Sequence, residues 1–201
     1  MTALIRRTLI VLVRFLVGAR ADWRGCAPST RQRIYFANHG SHLDTIAVMA
    51  ALPWQVRRLT HPVAARDYWG RNAVMRWIAE VGLRAVLIDR KPVRGEDPLR
   101  PAAAVLERGR SILIFPEGTR GSGEEMAPFR GGLHRIAARF PEVELVPVHL
   151  DNLQRILPKG SMLIVPITCT ARFGAPIRLE PGEEKGAFLR RARQSVMDLV
   201  A

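Results

Sequence analysis

The chain has 201 residues, 48% hydrophobic and 24% charged, with a formal net charge of +13 and a pI near 11.4. That length matches one ordinary domain, and the composition excludes disorder as the default. The charge implies an anionic partner, whether nucleic acid, an anionic membrane or an acidic substrate, and composition does not choose among them. Lys91, Lys159 and Lys185 are the only lysines, so nearly all the positive charge is arginine, the better bidentate phosphate ligand. Cys26 and Cys169 lie far apart, form no CxxC or zinc spacing, and read as free thiols.

Residues 3–17 read ALIRRTLIVLVRFLV. Arg6, Arg7 and Arg14 interrupt the apolar run, which falls short of the ~20 apolar residues a spanning helix needs. At 100° per residue the three arginines share one arc, opposite Leu4, Ile5, Leu9, Val11, Leu12, Phe15 and Leu16. The pattern predicts a basic amphipathic helix lying flat at a bilayer. A signal peptide and a helix packed on its own domain are the competing readings. Residues 1–22 are therefore assigned to a membrane-associating helix, and 23–201 to one globular domain.

Further along, short apolar runs predict strands at 34–37, 85–88, 112–115 and 145–150, with one or two more within 162–173. Helices are predicted at 43–51, 71–81, 99–108, 133–140 and 187–200. This alternation predicts an α/β domain: a largely parallel central sheet flanked by helices, with ligands at the carboxyl ends of strands.

Two polar clusters fall at such strand ends. The first is Asn38-His39-Gly40-Ser41-His42-Leu43-Asp44. Ser41 as N-cap with Asp44 three residues on would form a capping box, leaving His39 an ordinary loop histidine. Alternatively Asp44 meets His39 across the corner, fixes its tautomer and makes it a general base. A metal site from His39, His42 and Asp44 lacks the usual spacing, and a Ser41 nucleophile lacks the G-x-S-x-G elbow.

The second cluster is Phe115-Pro116-Glu117-Gly118-Thr119-Arg120. Pro116 ends the ladder, Gly118 allows close backbone approach, and Thr119 and Arg120 suit a phosphate. Glu117 is better placed to hold an arginine or a substrate hydroxyl. A surface turn with a weak Glu117–Arg120 pair remains the alternative.

Together the clusters resemble the glycerolipid acyltransferase family, the 1-acylglycerol-3-phosphate acyltransferases. Residues 38–44 resemble its N-H-x-S-x-x-D block, and residues 115–120 match its F-P-E-G-T-R block throughout. Leu87-Ile88-Asp89-Arg90 resembles a block ending in a substrate-binding arginine, and Leu145-Val146-Pro147-Val148 a short apolar block. Phe129-Arg130-Gly131-Gly132 resembles a loop that often carries a lysine, with Arg130 keeping the charge. The resemblance covers roughly residues 34–150.

It implies His39 as base and Asp44 as its partner, with Arg90, Glu117, Gly118, Thr119 and Arg120 binding the acceptor and its phosphate. It implies acyl transfer from acyl-CoA or acyl carrier protein to a lysophospholipid, foremost 1-acyl-sn-glycerol-3-phosphate, with no metal, no cofactor and no nucleic-acid partner. The implied setting is peripheral, on the anionic cytoplasmic face of the cell membrane. A nucleic-acid-binding module or a non-catalytic membrane adaptor would explain the charge but would not need His39 and Asp44.

Overall fold

The computed structural model describes residues 18–41, 43–90, 96–119, 126–151 and 169–200. The predicted N-terminal helix over 3–17 lies outside them.

The described residues form a seven-stranded sheet in the order β1-β7-β6-β2-β5-β3-β4. The strands are β1 (Arg20–Trp23), β2 (Arg33–Ala37), β3 (Thr60–Ala65), β4 (Val86–Ile88), β5 (Ser111–Ile114), β6 (Glu144–Asp151) and β7 (Thr170–Phe173). All neighbouring pairs are parallel except β6–β7. The helices, in chain order, are α1 (Asp44–Ala51), α2 (Trp54–Arg57), α3 (Arg66–Trp69), α4 (Ala73–Trp77), α5 (Arg100–Glu107), α6 (Gly132–Arg139) and α7 (Lys185–Met197).

β2 shows why the sheet is two-sided. Every one of its residues is buried, as expected of a parallel strand covered on both faces. Ile34 and Phe36 join a core with Leu106 of α5, Ile136 of α6 and Phe188 of α7. Tyr35 and Ala37 face the other way, onto Val48 and Leu52 at α1 and onto Phe173. Truncating a core aromatic such as Phe36 to Ala would cost about 3–5 kcal/mol.

The predicted α/β architecture is the observed one. Several predicted details are corrected. Residues 20–22, assigned to the N-terminal helix, belong to β1, where Trp23 stacks on its register partner Phe173 at 4.0 Å between ring centroids. β3 and α3 were not predicted. Pro62 interrupts the strand signal, yet it falls where β3 changes partners: Thr60–Pro62 pair with β5, and Val63–Ala65 with β4. The helix predicted over 71–81 divides into α4, capped by Asn72 on the Met75 N–H at 2.8 Å, and a π turn, Ile78–Gly82. Of the strands predicted within 162–173, β7 is described and residues 162–168 lie outside the described set.

Cys26 and Cys169 are both free. Burial pushes the Cys169 thiol up to about 12. No helix among the described residues is long and apolar enough to cross a membrane.

Candidate active site

β2 and β5 are parallel neighbours, with Phe36 opposite Ile114 in register. Their carboxyl ends therefore deliver the two polar clusters to the same edge of the sheet. Asn38 closes β2 with its side chain. Its Nδ2 donates to the Leu150 carbonyl at 3.1 Å and its Oδ1 accepts from the Leu150 N–H at 2.7 Å. The amide thus extends the β2–β6 ladder past the last backbone pair, Ala37 with Val148. The backbone is then free to turn at His39.

His39 Nδ1 lies 2.7 Å from Asp44 Oδ2. The same oxygen accepts the backbone N–H of Gly40 at 2.7 Å and of Ser41 at 2.9 Å. Asp44 is only 1% exposed, so it needs these partners. An ionised carboxylate only accepts, which assigns the proton to Nδ1 and the lone pair to Nε2. Phe115 stacks on the His39 ring at 4.4 Å between centroids, fixing its plane.

The capping box is only half realised. Asp44 reaches back to the Ser41 N–H, but helix α1 begins three residues after Ser41 and its N-cap position, Leu43, supplies no side-chain cap. Ser41 Oγ instead accepts the Leu43 N–H at 3.2 Å. The carboxylate organises the loop and the imidazole, and the capping and catalytic readings merge in one oxygen.

Glu117 departs from expectation. It was assigned to substrate binding, yet it is 3% exposed and forms no part of the cavity wall. Its Oε1 accepts the His39 backbone N–H at 2.7 Å, and its Oε2 the Ala127 N–H at 3.0 Å. It is a strut joining the two clusters and the segment ahead of α6. Gly118 follows with φ +71°. A Cβ there would lie 2.7 Å from Arg130 Nε and 2.8 Å from Arg130 Cδ. The glycine therefore serves both a left-handed turn and the close passage of Arg130. Arg130 is tied down by its N–H to Pro116 O at 2.8 Å and by its Nε to Glu117 O at 2.9 Å.

His39, Arg90, Gly118, Thr119 and Arg130 all line a cavity of about 390 Å³. Its apolar wall includes Val63, Ile88, Leu99, Ile114 and Leu133. Arg90 stands at the rim, where it pairs with Asp67 and donates from Nη1 to Gly118 O at 3.3 Å. The hydrogen bond from Arg90 holds the Asp67 carboxyl below its usual range. Arg120 and His42 lie outside the described residues. Among the described residues, no group of three or more His, Cys, Asp or Glu side chains is placed to hold a metal.

The structure places His39, Arg90, Gly118 and Thr119 on one cavity wall with Asp44 bonded to His39, and sets Glu117 behind it. Sequence reasoning missed Asn38 as a clip, Asp67 as the partner of Arg90, and the aromatic rim of Tyr68 and Trp69. The last three come from α3, an unpredicted element. The arrangement can take a proton at Nε2 from an alcohol whose apolar part fills the cavity and whose anionic part meets arginine.

The chain matches the family profile described as Acyltransferase over residues 25–169. It is 28% identical over 203 residues to human 1-acyl-sn-glycerol-3-phosphate acyltransferase alpha, covering 96% of this chain and 68% of the human one. It is 25% identical over 181 residues to 1-acyl-sn-glycerol-3-phosphate acyltransferase of Cocos nucifera, covering 87% of this chain and 55% of that one. Its fold is similar to the crystal structure of the 1-acyl-sn-glycerophosphate (LPA) acyltransferase, PlsC, from Thermotoga maritima. There the TM-score is 0.70 at 20% identity, over 98% of this chain and 81% of that one. With the profile spanning well over half of its residues, the chain belongs to the acyltransferase family.

Proposed function

We propose that the enzyme moves a fatty acyl group from acyl-CoA or acyl carrier protein onto the free hydroxyl of a lysophospholipid, 1-acyl-sn-glycerol-3-phosphate, giving phosphatidic acid. The observation that carries this reading is the 2.7 Å His39–Asp44 contact on the wall of a cavity that is apolar within and cationic at its rim. The names of the similar human, coconut and Thermotoga proteins support the choice of acceptor.

The acceptor's phosphate docks on Arg90 and Arg120, with Arg130 adjacent, and Gly118 and Thr119 form the turn against it. Its acyl chain lies along the apolar wall. His39 Nε2 takes the proton of the hydroxyl as that oxygen attacks the thioester carbonyl. The new carbon–oxygen bond gives a tetrahedral oxyanion, which backbone N–H groups at the corner stabilise. Collapse breaks the carbon–sulfur bond, and the imidazolium returns its proton to the departing thiolate. Asp44 stabilises the imidazolium in between. The thioester is already activated, so positioning and one base suffice, and no step calls on a cofactor. The basic apolar segment at residues 3–17, whose sequence pattern predicts an amphipathic helix, holds the enzyme peripherally on the anionic cytoplasmic face of the membrane.

The deciding experiment incubates purified protein with both donor types and a panel of acceptors: lysophosphatidic acid, other lysolipids and glycerol 3-phosphate. Products are read by mass. Phosphatidic acid should form and should disappear in His39→Ala with the fold intact. Ordinary turnover by that variant would remove the central claim, and turnover confined to another acceptor would reassign the substrate.

A further inference from the structure

Large apolar side chains standing open to solvent are confined to Trp54, Val74, Trp77 and Val200 among the described residues, and two of these share α4. Val74 is 67% exposed and Trp77 44% exposed. α4 buries none of its residues. It precedes β4, the edge strand, in the chain; the Asn72 side chain caps its start, and it runs on into the π turn, whose Ala79 and Gly82 are buried. A helix held in place with its apolar side chains uncovered marks a surface that something else covers.

The same stretch of chain reaches the cavity. Tyr68, Trp69 and Arg71 line its wall, so the uncovered helix is continuous with the mouth. Its charge is basic: Arg66, Arg71 and Arg76 are exposed. The acid within the stretch, Asp67, is held by Arg90. Arg66 and Arg76 pair with Asp89 and Glu80 at 3.2 and 3.1 Å, all four side chains at least two-fifths exposed. Exposed pairs of this kind are weak and readily exchanged for other anions. A valine and a tryptophan on either side of Arg76 suit the boundary of a bilayer, where indole sits at headgroup level and guanidinium meets phosphate.

We infer that α3 and α4, residues 66–77, form a second lipid-contacting surface, placing the cavity mouth against an anionic bilayer. This rests on the proposed use of a membrane-borne acceptor, but its binding test does not. In sequence it is distinct from the basic apolar segment 3–17. It sets Tyr68 and Trp69, on the cavity wall, where an acceptor passes from the membrane into the site. Trp54 provides a contrast: it is 58% exposed, but it lies in α2, before β3 begins, and Arg58 covers its ring at 5.0 Å.

Tryptophan emission of the full chain tests this on phosphatidylcholine vesicles with and without phosphatidylglycerol, some carrying brominated acyl chains. Bromolipid should quench the wild type in the anionic vesicles. Trp77→Phe should remove half or more of the quenchable emission, and Trp54→Phe should leave it unchanged. The double variant V74D/W77D, altered at exposed positions off the cavity wall, should lose tenfold or more of its rate on vesicle-borne acceptor. Its rate on monodisperse short-chain acceptor should stay within twofold. Quenching indifferent to Trp77→Phe, or wild-type rates on vesicles for V74D/W77D, would overturn the inference. So would a defect confined to acyl carrier protein as donor with quenching retained, which would make the partner a protein. If the wild type transfers no acyl group, the proposed function fails while the quenching result still decides the surface.

Discussion

The centre of the site and its rim are held by different kinds of bond. At the centre, Asp44 and Glu117 are nearly sealed from water; Asp44 accepts the Gly40 and Ser41 N–H groups of the corner before α1, and Glu117 accepts those of His39 and Ala127, from two other segments. At the rim, Arg90, Asp67, Arg66 and Asp89 meet in ion pairs with all four side chains at least two-fifths exposed. Buried charge-assisted bonds resist rearrangement because breaking one strands a desolvated charge; exposed pairs exchange partners at little cost. The difference teaches that the proposed proton-transfer apparatus is preorganised, whereas the arginines proposed to bind the acceptor's anion rest on protein carboxylates that an anionic ligand would have to displace.

The sharpest way to break the comparison is at its centre. Asp44→Asn keeps the shape but removes the charge and one acceptor. Turnover should fall about 10³-fold or more, since the tautomer is no longer enforced and the imidazolium loses its counter-charge. Single-turnover kinetics with saturating acceptor would measure this, and a loss under tenfold would contradict the assigned role. Next comes Glu117→Ala, which strands the His39 and Ala127 N–H groups. It should destabilise the fold by about 2 kcal/mol or more in chemical denaturation, and it should lower kcat with a smaller effect on the acceptor's KM. A change confined to KM would return Glu117 to the substrate site.

Smaller effects should appear toward the rim. Gly118→Ala forces a left-handed residue to carry a Cβ against Arg130, costing about 1–2 kcal/mol. Its acceptor KM should rise as Arg130 is displaced, and an unchanged KM would separate Arg130 from binding. The smallest change in stability belongs to Asp67→Asn, within about 0.5 kcal/mol because the pair is exposed. By releasing Arg90 it should lower the acceptor's KM, and a raised KM would show that Asp67 helps the arginine bind. The sign with pH follows from the depressed Asp67 carboxyl. Its small contribution is present above the ordinary carboxylate range and is lost only as pH falls through the lowered value. Acid in the range of pH 4 to 5 should therefore not mimic Asp67→Asn.

Much of this was legible in the sequence because it is carried by local pattern. Buried parallel strands announce themselves as apolar runs, as at 34–37 and 112–115, and a histidine and an aspartate five residues apart across a turn can meet without knowledge of the rest. What stayed hidden depends on distant partners. Glu117 reads as a substrate ligand because sequence shows its carboxylate but not the two backbone N–H groups that claim it, from His39 and Ala127. β3 was obscured by Pro62, whose missing donor is tolerated only because the strand changes partners there. With β3 went α3, and so Asp67, Tyr68 and Trp69. Asn38 was quoted with its motif, but its part as an artificial rung to Leu150 needs the register of β6.

The position of β2 between β5 and β6 has a further consequence, for the order in which the molecule can be made. His39 is braced by Glu117, 78 residues downstream, and Asn38 by Leu150, 112 residues downstream. Such contacts close large loops and tend to form slowly. A chain emerging from the ribosome holds its histidine and aspartate from the outset, yet it cannot aim them until the sixth strand has arrived beside the second. Competence for catalysis should thus arise late and all at once in refolding, after most helical signal has returned.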